Sequence, residues 1–184
     1  MPGLSATLQD KNIFRVFETL DANHDKKINH EDFNLFAKNI CKRVGISIDS
    51  NEGKKLAATY QDWWGRLKVD LDTDNDGSIT QTEFADGFKR AGVQQYTSDY
   101  SNRVAEIIAN LVDTDNDGYV SQSDYVKFVT GFPDFDRATA STGFQALDKD
   151  GDGRVSVAEL KAGWHQMLNS TDPSAPGTAL LGNR

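Results

Sequence analysis

The chain has little of what anchors, cross-links or exports a protein. Its single cysteine, Cys41, has no partner for an internal disulfide, so a reducing compartment and a cytoplasmic location are expected. No apolar run approaches the roughly 20 residues of a membrane span. The opening Met1-Pro2-Gly3-Leu4-Ser5 lacks a basic segment followed by an apolar one, so no signal peptide is expected. Pro2 stands where myristoylation needs glycine, so no stable membrane anchor is expected either. Basic residues are few: 20 Lys and Arg face 28 Asp and Glu, for a net charge of −8. No basic patch offsets that balance, which excludes nucleic acid and anionic lipid as expected partners. Methionine is nearly missing, at Met1 and Met167 alone, whereas adaptable target grooves are rich in it.

What remains is a 184-residue chain with 38% apolar and 26% charged residues, enough for one core or two small lobes. Its acids are not spread evenly. Sixteen of the 28 fall in four 12-residue stretches that hold only four bases. The stretches are 21–32 (DANHDKKINHED), 72–83 (DTDNDGSITQTE), 113–124 (DTDNDGYVSQSD) and 148–159 (DKDGDGRVSVAE). Acids recur at positions 1, 3, 5 and 12, with Asn23 the one substitute. Carboxylates crowded in this way repel unless a cation lies among them.

The spacing is that of the EF-hand calcium loop. Ca²⁺ is a hard ion that takes about seven oxygens, from the side chains at 1, 3, 5 and 12, the backbone carbonyl at 7, and position 9 directly or through water. Position 6 turns at positive φ and favours glycine. The predicted ligands are Asp72, Asp74, Asp76, Ser78 and Glu83 in the second loop, with Thr80 at position 9. In the fourth they are Asp148, Asp150, Asp152, Arg154 and Glu159, with Ser156 at position 9. The third offers Asp113, Asp115, Asp117, Tyr119 and Asp124. The first offers Asp21, Asn23, Asp25, Lys27 and Asp32, with Asn29 at position 9 and Lys26 in place of the glycine. Aspartate at position 12 is one methylene short, so coordination falls toward the six that Mg²⁺ prefers. Mg²⁺ is therefore expected to compete at loops 21–32 and 113–124, and Ca²⁺ to fill three to four sites. Loop 21–32 is either a weakened site or a vestigial loop kept for packing against loop 72–83.

The flanks agree with four helix–loop–helix hands. Ile13, Val16, Phe17 and Leu20 form one helical face before the first loop. Trp64, Leu67 and Leu71, then Ile108, Ala109 and Val112, then Phe144 and Leu147 do so before the others. Phe33 and Phe36, Phe84 and Phe88, Tyr125, Phe128 and Val129, and Leu160 and Trp164 follow the loops. Position 8 is Ile28, Ile79, Val120 or Val155, β-branched residues that suit a short strand pairing two loops. The spacing predicts helices over about 33–43 and 52–71, a connector between lobes over Gly92–Ser98, and Ser98 as a helix cap. Residues 1–95 and 96–168 then form two hand pairs, and 169–184 a tail. Gly131-Phe132-Pro133-Asp134 punctuates the start of the fourth hand, and the tail residues Leu180 and Leu181 are expected to dock on the body. His24, His30 and His165 have no nucleophile spaced to partner them, and no catalytic function is expected. Cys41 reads as a buried small residue. Gly53-Lys54-Lys55 lacks the first glycine of a phosphate loop, where Ile48 stands.

On these residues the chain resembles the invertebrate sarcoplasmic calcium-binding proteins, and within them the calexcitins. The likeness covers nearly the whole chain, including RVFETLDANHD, the Trp-containing insert before the second loop, and the apolar-Leu-Gly ending at Leu180-Leu181-Gly182. It implies an all-α fold whose two paired lobes face each other in one compact body, and a cytosolic protein that binds Ca²⁺ and Mg²⁺ and buffers calcium; a monomer is expected. A calcium sensor that opens a groove for a dedicated target is the alternative. A luciferin-binding or photoprotein role is a third, with Trp63, Trp64, Trp164 and His165 lining a cavity; the simpler reading of these aromatics is core.

Overall fold

The computed structural model of the protein describes residues 8–130 and 136–169. The punctuation at 131–134 and the tail leucines Leu180 and Leu181 lie outside the described residues. Each acidic stretch is held between two helices. The first hand runs from α1 (Leu8–Leu20) through β1 (Lys27–Ile28) to α2 (His30–Val44). The second runs from α3 (Asn51–Leu71) through β2 (Ile79–Thr80) to α4 (Gln81–Phe88). The third comprises α5 (Ala91–Val112), β3 (Tyr119–Ser121) and α6 (Gln122–Val129), and the fourth α7 (Arg137–Leu147), β4 (Arg154–Ser156) and α8 (Val157–Asn169). The four strands form two antiparallel pairs, β1 with β2 and β3 with β4. Ile28 faces Ile79 and Val120 faces Val155, as the β-branched pattern at position 8 predicts. All four are buried, so each strand pair is also a piece of core that fixes the spacing of its two loops.

The apolar faces read from the sequence are the ones that pack. One buried cluster joins Ile13, Val16, Phe17 and Leu20 of α1 to Phe33, Leu67, Leu71, Phe84 and Phe88. Phe33 meets Trp63 edge-on at 5.7 Å between ring centres, and Phe84 meets Phe17 in the same way at 5.6 Å. A second cluster holds Ala109, Val112, Val120, Tyr125, Phe144, Leu147, Val155 and Leu160. Helix α5 serves both clusters. Its Val104 and Ile107 belong to the first, and Ala105, Ala109 and Val112 to the second. Helix α5 also packs on α3, and α8 packs on both α1 and α5. The all-α fold with short β pairings is therefore present, and its two hand pairs are joined along shared helices. Each large aliphatic side chain buried in these clusters contributes about 1.5–3 kcal/mol.

The joint between the pairs differs from the expected connector over Gly92–Ser98. Helix α5 already begins at Ala91, with Arg90 at its N-cap and no side-chain cap, and Ser98 lies inside the helix. The break falls instead after Phe88, where the Arg90 guanidinium donates to the Gly87 carbonyl at 3.2 Å and the Asp70 carbonyl at 2.5 Å. These tethers fix the bend, and glycine in a first helical turn does not interrupt the backbone ladder. Between α2 and α3 the chain reverses at Gly45, which is left-handed at φ 77°, and Ser50 caps α3 through the Gly53 amide at 3.0 Å. Gly53 is needed for closeness: a Cβ there would press against the Ser47 carbonyl oxygen and lie 2.7 Å from that of Ile48.

Gly53→Ala is expected to lower stability by about 1–3 kcal/mol in urea unfolding. Gly65→Ala, on the same helix with nothing within 4 Å of its Cβ, is expected to raise it by about 0.5–1 kcal/mol. Asp136 caps α7 by accepting from the Thr139 amide at 2.7 Å, which holds its pKa below the ordinary 3.8. Its ionised form therefore stabilises the fold above the unfolded-state pKa, and that contribution is lost as pH falls through the depressed folded value. The stability difference between the native chain and Asp136→Asn is expected to shrink as pH is lowered past 3.8, followed by urea midpoints.

Candidate metal centres

A loop that ends a helix in carboxylates has to satisfy its own backbone amides, and here the carboxylates do so. Asp72 Oδ2 accepts the position-6 amide of Gly77 at 3.1 Å, and Oδ1 accepts that of Asp76 at 3.1 Å. Asp113 takes the amides of Gly118 and Asp117, and Asp148 those of Gly153 and Asp152. In the first loop Asp21 does the same for Lys26 at 2.9 Å and Asp25 at 3.1 Å. The position-1 acid thus closes each loop onto itself. Carboxylate oxygens lie within 4.8 Å of one another in three groups: Asp72, Asp74 and Asp76; Asp113, Asp115 and Asp117; Asp148, Asp150 and Glu159. The first loop forms no such carboxylate group because Asn23 stands at position 3, where its side chain bonds Asp25.

Position 12 closes each site from the exiting helix. Glu83 Oε1 accepts from the Thr73 amide and hydroxyl, and Oε2 from the Thr80 amide and hydroxyl, all at 2.7–2.9 Å. These donors, led by the Thr80 amide, lower its pKa from 4.5 to about 2. Glu159 is held in the same way by Lys149 and Ser156. Burial alone raises its pKa, and the Ser156 and Lys149 donors more than offset that. The shorter Asp124 reaches the Thr114 and Ser121 hydroxyls. Asp32 reaches the Asn29 amide at 2.8 Å and, one residue late, that of Asn23 at 3.2 Å. Asp32 is fully buried, and burial raises its pKa. The missing methylene therefore shows as a change of partner: the glutamates take the amide of position 2, and the aspartates do not.

Positions 2 and 9 carry more than the spacing argument assigns them. Residues Asn29, Thr80, Ser121 and Ser156 each cap the exiting helix or bond its position-12 acid. The signal was present as a Thr or Ser three residues before an acid, the capping-box pattern. Position 6 is left-handed in all four loops, at φ 88°, 86° and 84° for Gly77, Gly118 and Gly153 and 70° for Lys26. Lysine accepts that conformation at a cost on the order of 1 kcal/mol. His24 shares the strain at φ 61°. At position 7, Ser78 is buried with its hydroxyl on Asp76, while Lys27, Tyr119 and Arg154 are exposed. Lys27 reaches Asp76 of the neighbouring loop at 3.1 Å, and Arg154 reaches Asp152 at 3.2 Å and Asp117 at 3.6 Å. Asp76 accepts from the Ser78 hydroxyl and amide and from Lys27, which lower its pKa from 3.8 to about 2. The converging donors are oxygens throughout, a set that fits a hard divalent cation and not a soft one.

Of the aromatics suggested for a ligand cavity, Trp63 and Trp64 pack against other core rings. Trp63 lies near-parallel to both Tyr60 and Tyr100, at 6.3 Å from each. Trp64 is buried, Trp164 is half-buried and His165 is exposed. His24 and His30 are exposed, and Cys41 is buried, with burial pushing its thiol pKa up. No described helix is long and apolar enough to cross a membrane.

Known proteins share these features. The model of the EF-hand domain pair matches residues 10–89 and 69–130, and that of the EF hand matches 142–164. The calcium-binding allergen Ole e 8 of Olea europaea is 30% identical over 159 residues, covering 85% of this chain and 84% of the allergen. Calcium-dependent protein kinase 33 of Arabidopsis thaliana is 28% identical over 134 residues, 70% of this chain. That match spans only 22% of the kinase's length, so kinase activity does not carry across. Among solved structures, a Streptomyces coelicolor calcium-binding protein superposes with a TM-score of 0.75 at 26% identity, over 87% of this chain and 97% of that one. The amphioxus sarcoplasmic calcium-binding protein shares the fold, with a TM-score of 0.70 at 18% identity over 99% and 100% of the two chains. The chain belongs to the EF-hand family of calcium-binding proteins, with four hands arranged as in the sarcoplasmic calcium-binding proteins.

Proposed function

We propose that the protein is a non-catalytic Ca²⁺ buffer or signal modulator that fills three to four sites. Calcium supplies the double positive charge that the crowded carboxylates lack. Asp72, Asp74, Asp76 and Glu83 hold it in the second loop with the Ser78 carbonyl, and Asp148, Asp150, Asp152 and Glu159 in the fourth with that of Arg154. Asp113, Asp115, Asp117 and Asp124 serve the third with the Tyr119 carbonyl. Asp21, Asn23, Asp25 and Asp32 serve the first with that of Lys27. The observation that carries this reading is that all four loops have their first and last acids locked by hydrogen bonds, and that three of the loops gather carboxylate oxygens within 4.8 Å of one another. Sites built in advance lose little freedom on binding. Mg²⁺ competes at loops 21–32 and 113–124, where the aspartates at position 12 take other partners than the glutamates do. A cytoplasmic monomer is the setting this reading assigns, and the sequence of the insert and the tail supports kinship with the calexcitins.

Buffering is favoured over sensing by the core. Its apolar helix faces are engaged between the two hand pairs through α3, α5 and α8, and it is built of interlocked aromatics in place of methionine. The sensor reading draws on two apolar side chains left outside, Phe14 at 43% and Val69 at 81% exposure. The packing of Trp63 between two tyrosine rings supports core over a luciferin cavity.

Calorimetric titration with and without millimolar Mg²⁺ tests the assignment. Heat from loops 72–83 and 148–159 is expected to survive Mg²⁺, and Asp72→Ala and Asp148→Ala are each expected to remove one site. Loss of those two heats in Mg²⁺ contradicts the ranking. In the same samples a hydrophobic dye such as ANS is expected to show no rise in fluorescence with Ca²⁺. A large rise favours the sensor.

A further inference from the structure

Each hand pair carries one cation at position 7 that reaches the position-5 acid of the neighbouring loop. In the first pair, Lys27 Nζ lies 3.1 Å from Asp76 Oδ2. In the second, Arg154 Nη1 lies 3.6 Å from Asp117 Oδ2. The chain order is reversed, from loop one to loop two in one case and from loop four to loop three in the other, yet the target atom is equivalent. The strand pairs make this reach possible. Lys27 is registered opposite Thr80, and Arg154 opposite Ser121, so each cation begins beside the neighbouring loop. Arg154 is further held by its Nη2 on Asp152 Oδ2 at 3.2 Å and by the Tyr119 ring, 4.2 Å from the guanidinium carbon to the ring centre. At position 7 the loop uses only the backbone carbonyl, so the side chain is free for another task. The neighbouring position-7 residues, Ser78 and Tyr119, are uncharged.

We propose that Lys27 and Arg154 are built-in counter-cations that set the calcium affinity of each pair by competing, as fixed charges, with the bound ion. The inference rests on the calcium-binding reading above and deepens it. In the metal-free pair the cation offsets the repulsion among the carboxylates and holds an outer oxygen of the position-5 acid. A bound Ca²⁺ removes most of that negative field and repels the same cation. The cation therefore stabilises the free loops more than the filled ones, and whatever stabilises the free form lowers affinity. Linkage makes the effect mutual: filling the loop weakens the ion pair. A purely structural ion pair gives the opposite sign, because its removal loosens the loop and weakens binding.

Loop-resolved Ca²⁺ titration of the full chain tests this, followed by NMR at the Gly77, Gly118 and Gly153 amides, each of which donates to its loop's first aspartate. Lys27→Met keeps the stem and removes the charge. It is expected to tighten Ca²⁺ binding about 3- to 10-fold at loop 72–83, a modest factor because both partners are partly exposed. In chelator the same variant is expected to unfold at lower urea. Lys27→Arg is expected to bring the affinity back toward the starting value, and Arg154→Met to tighten loop 113–124. Added salt is expected to shrink the difference between Lys27→Met and the native chain. Unchanged or weaker binding in Lys27→Met, while the native chain binds normally, overturns the proposal. A native chain that takes up no Ca²⁺ overturns the calcium-binding reading itself.

Discussion

Carboxylates that must stand within 4.8 Å of each other repel, and the rest of the molecule is arranged around that constraint. The chain's first answer is local. Every position-1 aspartate turns its oxygens onto the amides of positions 5 and 6, so its charge is used to shape the loop. The position-12 acid, carried on the next helix, is drawn back by donors at positions 2 or 3 and 9. Electrostatic repulsion is thereby held in place by charge-assisted hydrogen bonds, which are roughly twice as strong as neutral ones. What those bonds leave over is a negative centre that a divalent cation completes.

The second answer is tertiary. A single loop has nothing behind it, but position 8 places a β-branched residue on the core side of each loop and pairs it with another. Ile28 with Ile79 and Val120 with Val155 set two charged loops side by side while burying their backs. Helix α5 then spends one face on each hand pair. Coupling between the pairs is a consequence of that sharing: Val104 and Ile107 pack with the first cluster while their own helix leads into the third loop.

The loops, the strand positions and the apolar faces were legible because each follows a fixed spacing, twelve residues for the ligands and three to four for the helices. The connector was placed over Gly92–Ser98, whereas the bend is made by Arg90 tethered to two carbonyls, a contact that no local pattern carries. The reach of Lys27 to Asp76 was invisible for a related reason. It depends on the register between strands some fifty residues apart in the chain. Nothing in the sequence marks Trp63 Nε1 or Thr97 Oγ1 either, buried without a partner among the described residues. The departures of the first loop were legible in Lys26 and Asp32, and the structure gives their form: a left-handed lysine and an acid that bonds one residue late.

The central claim is that the carboxylate centres are incomplete without a divalent cation and that the fold is stabilised by one. Far-ultraviolet circular dichroism melts of the chelator-stripped chain, repeated over a series of added Ca²⁺ concentrations, test it most directly. The account predicts a melting temperature that climbs with Ca²⁺, with each site contributing about 2.7 kcal/mol at a hundredfold excess over its Kd. Melts that superimpose at every Ca²⁺ concentration contradict it.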